Sequence, residues 1–138
     1  MILNIYGQTD GDKNVWSLPN IILDRRLHYQ VAVMRVYFVT ERIINSSAQH
    51  DLLMIRSNLV ERSAENPQQA IVYLDFNKKD KHVQSFFAPH IIFHPLLLQE
   101  LAHASFQICS LNGEPVQTNL KSIFIQLEIK RSETHGWL

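Results

Sequence analysis

Apolar and polar positions alternate with a period of two through much of this chain, and residues 105–131 show it most clearly. Phe106 and Ile108 alternate with Gln107 and Cys109. After a turn-rich break, Ile123, Ile125, Leu127 and Ile129 alternate with Ser122, Gln126, Glu128 and Lys130. That period predicts strands with one face in a core and one toward water. The break itself, Leu111-Asn112-Gly113-Glu114-Pro115, holds an Asn-Gly pair that tolerates positive φ and favours a tight reversal. The second strand of the two is the cleanest signal, and the remaining fold is expected to pack on it.

Taken in order, residues 2–6 read as a short strand and residues 7–14 as a polar loop. Residues 15–23 look extended, with Trp16, Leu18, Ile21 and Leu23 as apolar anchors and Pro19 limiting their pairing. The longest β-type run is 29–40. Val31 and Val33 mark one face there, and Ala32, Met34, Val36 and Phe38 the other, which predicts a central strand with Arg35 seeking a partner or a rim. Residues 41–50 read as a loop, 52–60 and 70–76 as strands, and 77–81 as a hairpin tip. Residues 83–93 are extended and aromatic, and 96–104 hold at most one short helix. About seven to nine short strands separated by turn signals predict an all-β chain: one domain over 1–138, an antiparallel β-sandwich or jelly roll, with a flexible tail at 132–138.

Composition narrows the function classes. Thirteen basic and thirteen acidic residues cancel, which argues against non-specific nucleic-acid binding and favours a chain with little self-repulsion. A single cysteine, Cys109, excludes an intramolecular disulfide. No apolar run approaches a membrane span, and the first residues turn polar too early for a signal peptide. No membrane partner is expected.

Chemistry-bearing residues are sparse. His82, His90 and His94 are the residues to weigh for zinc, but Pro89 and Pro95 mark an extended context in which helical ligand spacing gains nothing, and ordinary surface or partly buried histidines are expected. Cys109 lies in a strand with no activating neighbour and reads as a sheet-face residue. Asp10 and Asp12 lack the later ligands of a calcium loop. Lys78, Lys79 and Lys81 read as a solvated tip, and Asn45-Ser46-Ser47 as a polar loop. The four glycines are isolated, so there is no phosphate loop. No enzyme, cofactor or metal is expected.

Several blocks carry a resemblance. Asn14-Val15-Trp16-Ser17-Leu18-Pro19-Asn20-Ile21-Ile22-Leu23 is followed by Tyr29-Gln30-Val31-Ala32-Val33, then by Ile55-Arg56-Ser57-Asn58-Leu59-Val60-Glu61. Downstream come Ile71-Val72-Tyr73-Leu74, Phe86-Phe87-Ala88-Pro89-His90, Phe93-His94-Pro95-Leu96, the turn block at 106–116, and Phe124-Ile125-Gln126-Leu127-Glu128-Ile129-Lys130. This series resembles virion-associated structural proteins of adintoviruses and Polinton or Maverick elements. The resemblance implies a non-enzymatic capsid or capsid-accessory subunit, assembled inside the host cell and located in the virion. Such a subunit self-associates, as a trimer or ring, or cements other virion proteins. Interface candidates are Trp16, Phe86, Phe87, Trp137 and Leu138, the first three of which suit a core equally well. The alternative is a β-sandwich module that recognises a glycan or protein through Trp16, Tyr73 and the Asn45 loop.

Overall fold

A computed structural model describes residues 1–10, 13–43, 50–77, 83–87, 91–115 and 118–132. The strands are β1 (Ile2–Asp10), β2 (Lys13–Ser17), β3 (Tyr29–Ile43), β4 (His50–Ser57), β5 (Ala70–Asn77), β6 (Val83–Phe87), β7 (His94–Pro95), β8 (Phe106–Ser110) and β9 (Thr118–Arg131). They form two antiparallel sheets. One runs β2-β1-β9-β3-β6, with β7 also on β3; the other runs β5-β4-β8.

Taken as pairs, the chain is one long hairpin folded back on itself. β4 with β5 is innermost, and β3 with β6 and β7 lies outside them. Next comes Ile22 bridged to Glu100, and β1 with β9 is outermost. Rolling that hairpin brings β9 beside β3 and β8 beside β4. Such nesting is the order of a jelly roll. It also explains why β9 dominates: it sits between the first strand and the longest one.

Burial follows the alternation. Ile123, Ile125, Leu127 and Ile129 are each at most 2% exposed. They meet Ile5 of β1 and Val31, Val33 and Val36 of β3 in a core shared with Leu53, Ile55, Leu74 and Ile108 of the facing sheet. Each side chain of this size contributes about 1.5–3 kcal/mol on burial.

Several expectations shift by a register. Val31, Val33 and Val36 all reach the core because β3 bulges between Val33 and Arg35, leaving Met34 unpaired. The extra residue reverses the facing of everything after it. Residues 7–10 are strand rather than loop, since β1 continues against β2. The extended reading of 15–23 is cut at Ser17, and beyond it Ile22 forms a single bridge. The run 52–60 ends as a strand at Ser57, and within 83–93 the described strand is β6, with β7 starting after it at His94. The short helix reduces to one 3-10 turn, Leu101–His103, because Leu96 is drawn into a bridge with Val60. The Asn-Gly reversal is present: Gly113 N–H donates to Ser110 O at 2.9 Å, and of the pair Gly113 takes the positive φ, +87°. A Cβ there would collide with the Gln68 side chain.

Candidate functional site

Three polar turns meet at one end of the smaller sheet. β4 stops at Ser57, the one buried polar residue of the described core. Its hydroxyl accepts the Leu59 N–H at 3.1 Å, and its own N–H donates to Gln69 O at 3.1 Å. Asn58 then ties the turn to β8: its amide donates to His103 O at 3.0 Å and accepts from Ser105 N–H at 2.8 Å. Gln69 holds a positive φ of 56°, strained for a residue with a side chain. Two bonds hold it there, from its N–H to Asn66 O at 3.2 Å and from its amide to Val60 O at 3.1 Å.

Beside these turns opens a cleft of about 590 Å³. Trp16 and Phe106 form its apolar side, with ring centroids 5.3 Å apart. Gly7 sets the position of Trp16. The two are paired across β1 and β2, and a Cβ on Gly7 would lie 2.7 Å from Trp16 Cε3 and 2.8 Å from Ile123 Cγ2. Bare backbone at Gly7 is therefore what lets the indole pack so close to β1.

The polar side is built from Arg56 and Gln107, opposite one another on β4 and β8, with Ser57 and Ser105 nearby. Arg56 Nε donates to Gln68 O at 2.9 Å, and Nη1 makes a longer contact to Gly113 O at 3.4 Å. Both acceptors are neutral carbonyls. Among the described residues no carboxylate lies within ion-pair distance of Arg56. The guanidinium is half-buried, so its charge is poorly screened, and no carboxylate among the described residues compensates it at close range. Cys109, fully buried beside it, has its thiol pushed up by burial, with Arg56 partly opposing the shift. A thiol held protonated in this way is a poor nucleophile.

A second surface lies on the outward face of the same sheet. Met54 stands between Tyr73 and Cys109, its cross-strand partners. Met54, Ala70 and Cys109 are buried together, whereas Tyr73 is 64% and Leu52 59% exposed. The outward face thus has an apolar centre with an aromatic and a leucine open to water. It is bounded by β5, which hydrogen-bonds to β4 alone and leaves its other edge unpaired among the described strands.

Of the interface candidates, Trp16 packs against the core and also lines the cleft. Phe86 and Phe87 fall on β6, at the edge of the larger sheet opposite Val36 and Arg35. Trp137 and Leu138 lie outside the described residues, as do His82, His90, Asn45, Asp12 and Lys78, Lys79 and Lys81. His94 is half-buried on β7, and no group of three or more His, Cys, Asp or Glu among the described residues is placed to hold a metal ion. Tyr73 is not in the cleft with Trp16. Arg56, Asn58, Gln69 and Gln107 escaped the sequence reading as site residues. Their signal is faint: Arg56-Ser57-Asn58 interrupts an apolar run, and Gln68-Gln69 precedes one. No helix among the described residues is long and apolar enough to cross a membrane.

Comparisons with protein-family models, with curated proteins and with solved structures find no match to this chain.

Proposed function

We propose that this protein is a non-enzymatic virion structural subunit, which acts by self-association or by cementing other virion proteins. The observation that carries this reading is the β5 edge. Beyond Ala70, whose N–H and C=O are taken by the Asn66 side chain, no described strand pairs with it, and its sequence Ile71-Val72-Tyr73-Leu74-Asp75-Phe76-Asn77 holds no proline and no lysine. Soluble proteins guard such edges with those residues, because an open row of N–H and C=O groups invites another strand. Here the edge adjoins the apolar outward face at Tyr73 and Leu52. Strand addition at β5 extends the sheet and buries both side chains in one step. A stable contact of this type buries roughly 1,200–2,000 Å² in total. The jelly-roll order, the balanced charge and the resemblance to adintovirus and Polinton virion proteins support the same reading.

The test is solution mass by light scattering over a wide concentration range, at about pH 6 and about pH 8. A defined oligomer is expected, with Tyr73→Lys shifting it toward monomer while the unfolding midpoint stays close to wild type. A monomer at every concentration overturns self-association.

A second reading, a recognition module for a glycan or protein, is favoured by the cleft: an aromatic wall facing a cation and hydroxyl and amide groups is the composition of a binding site.

A further inference from the structure

We propose that the cleft binds an acidic sugar, a monosaccharide unit bearing a carboxylate, with Arg56 holding the carboxylate and the Trp16–Phe106 wall taking the apolar face of the ring. The proposal rests on the recognition reading and names its ligand class.

The polar groups of the cleft divide into two sets. Asn58 and Gln69 are occupied by backbone partners and serve as braces. Arg56, Ser105 and Gln107 retain capacity, although Gln107 Oε1 already accepts a weak contact from Cys109 Sγ at 3.5 Å. A guanidinium carries five N–H donors; Gln68 O and Gly113 O engage Nε and Nη1, and the Cys109 sulfur is a further neighbour. Five donors exceed these three neighbours, so the group keeps donor capacity for a ligand. A half-buried guanidinium whose described neighbours are two carbonyls and a thiol gains most from an anionic oxygen, since charge-assisted hydrogen bonds are the stronger ones. The anion is thus set by Arg56.

The other groups set the sugar. The hydroxyl of Ser105 and the amide of Gln107 each donate and accept, matching ring hydroxyls that do the same. The apolar wall matches the C–H face of a pyranose. A volume of about 590 Å³ falls in the range of small-ligand sites, about 300–1,000 Å³. An acidic peptide fits less well. A peptide strand would need the outer edge of β8, and the returning chain already takes part of it: Cys109 is bridged to Pro115, and Ser110 N–H donates to Glu114 O at 2.9 Å.

The experiment titrates the isotopically labelled full chain with glucuronate, glucose and an aspartate-rich tetrapeptide at one fixed pH, following amide and indole resonances by NMR. Saturable shifts at Trp16, Ser105 and Gln107 are expected with glucuronate, at least about tenfold tighter than with glucose, the scale of one charge-assisted hydrogen bond. Arg56→Gln should erase that preference. Because Arg56 also braces Gln68 and Gly113, the exposed Gln107→Ala is the companion variant; it should weaken glucuronate severalfold with an unchanged unfolding midpoint. Equal binding of glucose and glucuronate overturns the acidic class and leaves a recognition module. Tighter binding of the tetrapeptide at the cleft overturns the sugar. No shift with any of the three overturns both the ligand and the recognition reading.

Discussion

Single residues control this protein in two ways, by volume and by its absence. Ile125 is fully buried in the middle of β9, between β1 and β3. Ile125→Ala removes apolar volume that neighbours on both sides cannot refill, and should cost about 2–5 kcal/mol in urea unfolding. Gly7 acts through missing volume. Gly7→Ala places a methyl against the Trp16 ring, which borders the cleft, and against the fully buried Ile123. The expected result is a lowered unfolding midpoint together with altered near-ultraviolet circular dichroism, because the indole must lift from the sheet. A midpoint loss without that spectral change would mean Ile123 yields instead. Nothing in the sequence marks Gly7 in this way. Its neighbours look like a loop, and only the pairing with Trp16 shows why a side chain is excluded.

Elements here depend on polar braces at their ends as much as on alternation within them. β5 begins where the Asn66 side chain imitates a neighbouring strand: its amide donates to Ala70 O at 2.9 Å, and its carbonyl accepts Ala70 N–H at 3.0 Å. Replacing it by alanine leaves two backbone groups unpaired. Asn66→Ala should cost about 1–3 kcal/mol, and amide exchange should quicken first at Ala70, the start of the edge strand. The sequence announces Asn66-Pro67 as a turn but not the brace, since a turn residue shows its composition and not its partner. The same limit applies to the bulge in β3. Val31, Val33, Met34 and Val36 read as a strand apolar on both faces, whereas one unpaired residue turns both halves of the valine set inward. An alternation pattern cannot reveal where its own phase changes.

At the scale of the molecule, the rolled hairpin brings β7 back to β3 and half-buries His94 against it. Burial pushes the His94 imidazole below its ordinary value of 6.5. The unfolded chain therefore takes up a proton at higher pH than the fold does. The neutral ring's contribution is intact above the unfolded value and is lost as pH falls from there through the folded one. The urea midpoint should be lower at about pH 5.5 than at about pH 7.5, and His94→Gln should shrink that difference. An unchanged difference in the variant would assign the acid sensitivity to other groups.

By itself the sequence determined the all-β class, the role of β9 as central strand, the reversal at Asn112-Gly113 and the short reach of any helix. Each of these is local: period-two alternation and turn chemistry act between residues close in the chain. Only the tertiary structure decided the nesting of the strand pairs, the phase shift in β3, the place of β5 at the end of its sheet among the described strands, and the cleft. Trp16, Arg56, Asn58, Gln69 and Gln107 come from distant parts of the chain, and the rolling of the hairpin brings them to one place. Hydrophobic burial is non-directional, so a pattern of apolar positions says which faces must be covered and leaves open which strands will cover them.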